Sequence, residues 1–195
     1  MSEAKRGTPG ERLPRIPQEQ WTDEQRTVAA DIAAGPRGEL RGPFISLLRS
    51  PGAAAPIQQL GEYLRYKSPV ERRLAEMATL IAARHWGQKY EWNSHHQHAL
   101  KAGLPAAVAD AIGEGRRPDA MAADEALVHD MLTEALTHRR LSDPTWERAI
   151  ATFGEQQTLD LLLIAGYYAM LALVLNVARI AVPDTGLPLL PQFPY

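Results

Sequence analysis

Carboxylate and imidazole side chains are concentrated between residues 68 and 103, where they fall within apolar helical patterns. On the second of two helices expected there, Glu91, His95 and His98 are spaced i, i+4 and i+7, so they share one face. Glu76 lies among apolar residues on the preceding helix, which predicts that its carboxyl group is partly buried. Because burial raises the pKa of a carboxyl group toward neutrality, two such groups beside an imidazole are suited to proton transfer.

Two other interpretations of these side chains are open. Glu91, His95 and His98 could together bind a metal ion, with His85 or Glu76 as a fourth ligand. That geometry is unfavourable because the three side chains spread over two helical turns and follow no common ligand spacing. Alternatively, the Glu and His side chains form hydrogen bonds on a solvated helix face, and the chain is a noncatalytic binding or assembly module.

The composition narrows the possible functions. The 195-residue chain contains no Cys, which excludes disulfides, thiolate zinc sites and catalytic thiols and agrees with a cytoplasmic location. A formal net charge of -2 offers no basic surface, so a nucleic acid partner is not expected. The uncharged stretch from Leu161 to Ala178 is near the lower length limit for a membrane span, and Gly166 and Asn176 interrupt it. This favours a core or interface helix, and no membrane partner is expected.

The spacing of apolar residues predicts an all-α protein with a single helical domain at residues 21–182. A Pro-rich, charged segment at 1–20 is expected to form an extended arm that is either unattached or lies on a neighbouring subunit. A second Pro-rich segment, at 183–195, forms a tail. No stretch alternates with a period of two for long enough to predict a strand.

Capping residues, Gly and Pro set the predicted helix boundaries. Thr22 followed by Gln25 is a capping-box pattern, and Ser68 followed by Pro69 predicts the start of the helix that carries Glu76. The segment from 35 to 56 is expected to be a loop with one short helical piece. The predicted helices cover approximately residues 22–35, 57–64, 68–85, 90–102, 104–113, 122–138, 142–153 (closed by Gly154) and 156–181 (ended by Pro183).

The residues around Glu76 and His95 resemble a pattern of the carboxymuconolactone decarboxylase family, which includes alkylhydroperoxidase D. The pattern is a Glu followed by Leu and Ala at helical spacing, then a turn, then Tyr-Glu-Trp-x-x-His and Ala-x-x-x-Gly. Its members in this sequence are Glu76, Leu80, Ala83, Tyr90, Glu91, Trp92, His95, Ala99 and Gly103. The flanks GPFISLLRSPG and LSDPTWERAIATFGEQQTLDLLLIAGYYAMLALVLN resemble those of larger members, so most of residues 40–180 is covered.

The resemblance implies an alkylhydroperoxidase D-like helical bundle from a cysteine-free branch. In the hydroperoxidases a Cys-x-x-Cys pair precedes the His, and a Glu on the earlier helix forms a proton relay with it. Gln88 and Glu91 stand at the two cysteine positions, whereas Glu76 and His95 match the relay. A thiol peroxidase needs a thiolate nucleophile, so the peroxidase or peroxiredoxin-type activity of the family is not expected here.

The decarboxylase branch acts on a lactone that bears a carboxylate, without thiols or an obligate cofactor. The resemblance therefore implies an acid/base lyase or isomerase for a small lactone or carboxylate, with no cofactor, in which an acid delivers a proton to a developing enolate. His95 is the expected proton donor or shuttle. The expected catalytic residues are Glu76, His95 and Glu91, and the expected substrate contacts are Arg84, Tyr90, Trp92 and His98.

Three further points follow from the same residues. Arg84 would bind a substrate carboxylate, but it could equally be a solvated helix-surface residue. Tyr167 and Tyr168 could reach the cavity, although tyrosines in such an apolar helix are more often part of the core. Finally, the resemblance implies a trimer or hexamer, and the long apolar helix offers more hydrophobic surface than one subunit needs to bury, so a homo-oligomer is expected.

Overall fold

A computed structural model describes residues 10–182 and residue 190. Within those residues the protein is built from α-helices without a strand, which confirms the all-α prediction. The helices are α1 (Asp23–Ala34), α2 (Pro43–Leu47), α3 (Pro51–Tyr66), α4 (Arg72–His85), α5 (Lys89–Lys101), α6 (Ala106–Glu114), α7 (Ala123–His138) and α8 (Asp143–Ala178). A short 3-10 turn at Gln18–Gln20 precedes them.

Helix α4 lies at the centre of the fold. It packs against α5, α6, α7 and α8, so it is apolar around most of its circumference. Met77, Ala78 and Leu80 are completely buried in the main core. A smaller apolar cluster forms where α1, α2 and α3 meet, around Ile32 and Phe44. The site-bearing helices α4 and α5 are therefore held from several sides.

Several predicted boundaries are confirmed. Thr22 and Gln25 form the capping box of α1, each side chain bonding to the backbone N–H of the other residue. The turn between α4 and α5 occurs at Gly87, whose φ of 60° is in the left-handed region that favours glycine. Gly154, with φ 72° and ψ 172°, interrupts α8 where the sequence predicts a break between two helices.

The predicted start of α4 was wrong. This helix begins at Arg72, and Glu71 rather than Ser68 is the residue before it. The Ser68 hydroxyl instead donates to Asp160 of α8 at 2.6 Å, and the Tyr63 hydroxyl donates to the same carboxylate oxygen at 2.9 Å. Because its proton is engaged with this buried carboxylate, Ser68 ties the α3–α4 connection to α8.

The predicted loop between residues 35 and 56 is also partly wrong. It contains α2, the expected short helix, but α3 begins at Pro51 and includes Pro56. Pro56 sits early in the helix, where its missing N–H removes only the bond to the carbonyl of exposed Gly52. Burial of the α3 face that includes Ala54 and Leu64 offsets that loss.

The segment before α1 contacts the carboxyl end of α8 and the segment before α2. The described part of the N-terminal segment packs against its own subunit. The Arg12 N–H donates to the Ala178 carbonyl at 2.8 Å, and the Arg15 side chain donates to the Leu40 carbonyl at 3.0 Å. Helix α8 stops at Ala178, three residues before its predicted end. Pro183 and the predicted tail lie outside the described residues, except for Leu190, which is buried in the main core.

Helix α8 is long and apolar enough to cross a membrane by length and composition alone. Its most apolar 18-residue window has a mean hydropathy of 2.1, and half of that window is buried inside the fold. The core helix of a soluble protein passes the same test, so the absence of a membrane partner stays a prediction.

Candidate active site

A buried carboxylate–imidazole pair joins α4 to α5. His95 Nδ1 lies 2.7 Å from Glu76 Oε2, and both side chains are almost inaccessible to water. The second carboxylate oxygen, Oε1, lies 2.5 Å from the Arg72 guanidinium. Burial alone would raise the pKa of Glu76, but the contacts with His95 and Arg72 outweigh it and hold that pKa below its usual range. Glu76 is therefore a carboxylate at neutral pH.

The His95 ring is neutral at the same pH. Burial lowers the pKa of His95, and the Glu76 carboxylate opposes that shift only in part. We assign the ring proton to Nδ1 because a carboxylate can only accept there, which leaves Nε2 as a proton acceptor. Tyr168 packs edge-on against the imidazole with ring centroids 4.8 Å apart. The Glu76 carboxylate and the Tyr168 ring together fix the orientation of the imidazole, as a general base requires.

Glu91 is a second buried carboxyl group with a different environment. Only 3% of its surface is exposed, and within the described part of the chain neither of its side-chain oxygens has a hydrogen-bond partner. Burial therefore raises the pKa of Glu91 well above its usual value. This environment favours the protonated acid, in contrast to that of Glu76, which favours the carboxylate.

Glu91 and His95 line one cavity of about 40 Å³, enclosed by α2, α3, α5, α8 and the segment before α2. A cavity of this size holds about three water molecules. The lining residues are Arg37, Arg41, Gly42, Pro43, Arg65, Tyr90, Glu91, Ser94, His95, Tyr167, Tyr168 and Leu171. Thus the cavity places a neutral base and a neutral acid in contact with the same small volume.

Three arginines that the sequence interpretation missed also line this cavity. Arg37 stacks over the Phe44 ring, 4.4 Å from its centroid, and donates to the Gln58 side chain at 2.8 Å. Burial lowers the pKa of Arg37, although a guanidinium still keeps its charge at neutral pH. Arg41 is exposed, and Arg65 is partly buried at the end of α3. In the sequence, Arg37 and Arg41 occur close together in GPRGELRG. Their place at this cavity depends on the folding of α1 to α3, so the sequence alone did not indicate it.

The two tyrosines of α8 serve both as core and as cavity wall. Tyr167 and Tyr168 are buried, and their rings meet edge to face at 5.4 Å. The Tyr167 hydroxyl lies directly against Gly61 of α3. Burial raises the pKa of both phenols, so each stays a neutral hydroxyl.

The expected substrate contacts separate into two groups. Tyr90 lines the cavity. His98 is not among the lining residues, but its ring contacts that of His95, with centroids 5.8 Å apart. Trp92 is a core residue instead, packed so closely on Gly113 that a methyl group there would lie 2.7 Å from the indole. Arg84 lies on another side of α4, where it lines a separate cavity of about 600 Å³ between α4, α6 and α7.

The metal interpretation gains no support from the arrangement of ligands. Across residues 10–182 and residue 190, no group of three His, Asp or Glu side chains could hold a metal ion. Glu91 and His95 face the cavity, but the carboxylate partner of His95 is Glu76. His85, a possible fourth ligand, is exposed and lines the Arg84 cavity.

Gln88 and Glu91, which stand at the two cysteine positions of the resembling sequence pattern, have different roles. Gln88 is buried, and its side-chain N–H donates to the Asn176 side chain at 2.9 Å while its oxygen accepts from the Tyr90 N–H. This side chain therefore caps α5 and ties it to α8. Of these two residues, Glu91 lines the cavity and Gln88 does not.

Comparison of the sequence with protein-family models and with curated proteins finds no match.

Proposed function

We propose that this protein is a cofactor-independent acid/base enzyme, a lyase (decarboxylase) or isomerase for a small lactone or carboxylate, in the cysteine-free branch of the alkylhydroperoxidase D-like superfamily. The observation that carries this proposal is the 2.7 Å His95–Glu76 pair at the wall of a cavity that also contains protonated Glu91. The sequence resemblance supports the same relay. The absence of Cys leaves a thiol peroxidase without its nucleophile.

The charges of the site favour an anionic substrate. Glu76 is balanced by Arg72, while His95 and Glu91 are uncharged, so the guanidinium groups of Arg37 and Arg65 give the cavity a positive potential. A substrate of lactone size exceeds the volume of this cavity. Arg41, which is exposed and lines the cavity, would move aside to admit it.

In the decarboxylation, the bond between the substrate carbon and its carboxylate breaks and carbon dioxide leaves. The electron pair moves into the conjugated lactone carbonyl, and the guanidinium groups and the Tyr167 hydroxyl stabilise the resulting enolate oxygen. Glu91 supplies a proton to the carbanionic carbon, and His95, oriented by Glu76, shuttles the replacement proton from solvent to Glu91. In an isomerisation, His95 Nε2 instead removes a proton beside the carbonyl and Glu91 delivers one further along the conjugated system.

The test is turnover of unsaturated γ-lactones that carry a carboxylate, followed by ultraviolet absorbance and by carbon dioxide release. We expect His95→Gln and Glu76→Gln to lower kcat by about 10²–10⁴-fold without loss of helical circular dichroism. His138→Gln, a histidine exposed on α7, is the matched control and keeps wild-type kcat. Wild-type turnover by both site variants would refute the proposal. Saturable binding of these lactones without turnover would identify a binding module instead.

A pair of arginine variants tests which guanidinium meets the substrate. Arg65 lines the proposed site and Arg84 lines the separate cavity, so Arg65→Lys is expected to raise KM while Arg84→Lys leaves it unchanged. An increase in KM for Arg84→Lys alone would instead place the substrate carboxylate beside Arg84, as the sequence alone suggested.

A further inference from the structure

Helix α8 exposes a second apolar face, opposite the one that packs on α4 and α7. The exposed side chains include Leu159, Leu173 and Val177, each more than half accessible, and Leu163 and Met170, each more than a third accessible. Gly166 lies in the same row, with open space where a side chain would stand. We call the row Leu159, Leu163, Gly166, Met170, Leu173 and Val177 the α8 seam.

The α8 seam has the spacing of a coiled coil. Its successive members are separated by 4, 3, 4, 3 and 4 residues, which is the 3.5-residue repeat of alternating a and d positions. The row extends over about 27 Å of helix at 1.5 Å per residue. A repeat of this kind keeps one face of a helix in continuous contact with one face of a partner helix.

The seam is also symmetric about its own centre. The spacing reads the same in both directions, so two copies in antiparallel orientation bring Leu163 opposite Leu173 and Gly166 opposite Met170. The long Met170 side chain then fills the open space above Gly166 of the other copy, whereas a parallel pair would leave two glycines facing each other.

The charges at the two ends favour the same orientation. Glu155 is exposed at the amino end of the seam and Arg179 is exposed at its carboxyl end. An antiparallel pair brings opposite charges together at both ends, and a parallel pair brings like charges together.

We propose that the α8 seam is an interface between two copies of this chain, formed by antiparallel pairing of their α8 helices about a two-fold axis near Tyr168. Each copy contributes the same row, as an isologous interface requires. A lipid surface would also cover an apolar face, but lipid imposes no 4-3 spacing and no complement between a glycine and a methionine four residues apart. Moreover, half of the most apolar window of α8 is already committed to the core.

Cysteine crosslinking can read the orientation directly, because the chain contains no Cys of its own. Leu163→Cys and Leu173→Cys are made in separately tagged chains and co-expressed. In the antiparallel pair the thiol introduced by Leu163→Cys in one copy faces the thiol introduced by Leu173→Cys in the other, while two copies of the same variant hold their thiols about 15 Å apart. With a thiol crosslinker shorter than that span, we expect product only in the mixture. Equal product from each variant alone would indicate parallel pairing, and no product in any sample would also overturn the proposal.

Molar mass in solution provides the second test. We expect light scattering after size-exclusion chromatography to give at least a dimer for the wild type, and half that mass or less for Leu163→Lys and Leu159→Lys with unchanged helical circular dichroism. Leu100→Lys is the matched control, since Leu100 is an exposed leucine of α5 outside the seam. A wild-type monomer, or seam variants with wild-type mass, would contradict the proposal. If the wild type is a monomer that floats with phosphatidylcholine vesicles, and Leu163→Lys does not float, the seam binds lipid instead.

Discussion

Glu91→Gln removes an ionisable group that the fold keeps in its protonated form. The unfolded carboxyl ionises near pH 4.3, while the folded one, buried without a hydrogen-bond partner among the described residues, has a pKa raised well above its usual value. Between those two pKa values the folded protein holds one proton more than the unfolded chain. The free energy of unfolding therefore decreases as pH rises, by about 1.4 kcal/mol per pH unit from this group alone.

The measurement is the difference in unfolding free energy between the wild type and Glu91→Gln, obtained from urea titrations at pH 5, 6 and 7. The variant lacks the group, so its stability relative to the wild type should improve with rising pH, by at most about 3 kcal/mol across those two pH units. A difference is needed because His95 acts in the opposite direction. The folded pKa of His95 is lowered, so its contribution to stability is lost as pH falls below about 6.5.

Glu147→Gln is the control, because Glu147 is exposed on α8. It makes the same Glu-to-Gln exchange on an exposed surface, where no buried carboxyl group is removed, so its stability profile should run parallel to that of the wild type. The buried amide of Glu91→Gln adds a constant offset, which does not affect the slope. Parallel profiles for the wild type and Glu91→Gln would show that Glu91 is ionised in the folded protein, and would remove the acid from the proposed mechanism.

Two further predictions concern contacts that hold the site together. Gly61→Ala would drive a methyl group into the Tyr167 hydroxyl, so we expect a loss of about 2–3 kcal/mol in chemical denaturation, partly recovered by Tyr167→Phe. Unchanged stability would mean that α3 and α8 are farther apart. Ser68→Ala should cost about 2 kcal/mol and show a coupling of about 1 kcal/mol or more with Asp160→Ala in a double-mutant cycle. Additive effects would favour an N-cap role for Ser68.

The sequence was sufficient for the local part of the site. Glu76 is surrounded by apolar residues at helical spacing and is buried as that spacing predicts. Glu91 is also buried, and the sequence indication for it was the flanking Tyr90 and Trp92. The distance between Glu76 and His95 depends on the packing of α4 on α5, which periodicity and capping do not specify. Neither periodicity nor capping could reveal Arg37 and Arg65, since they reach the cavity through contacts between distant segments.

Arg84 illustrates why proximity in sequence is a weak predictor on a central helix. It follows Glu76 by eight residues, which corresponds to about 80° around the helix axis at 3.6 residues per turn. On a helix with one buried face, that rotation keeps both side chains near the same neighbours. Helix α4 is enclosed by α5, α6, α7 and α8, so the same rotation moves Arg84 into a different cavity.

The distribution of charge limits how a decarboxylation could proceed in this cavity. A guanidinium that holds the leaving carboxylate stabilises the substrate more than the transition state, because that charge disperses as carbon dioxide forms. Arg37 and Arg65 are therefore useful only if they face the lactone carbonyl, or a second carboxylate that stays in place. The leaving carboxylate must then lie toward the uncharged wall of Glu91 and Tyr168. In the proposed decarboxylation it would be poorly solvated there, its loss would be favoured, and the Glu91 proton would be in place for the carbon that it leaves.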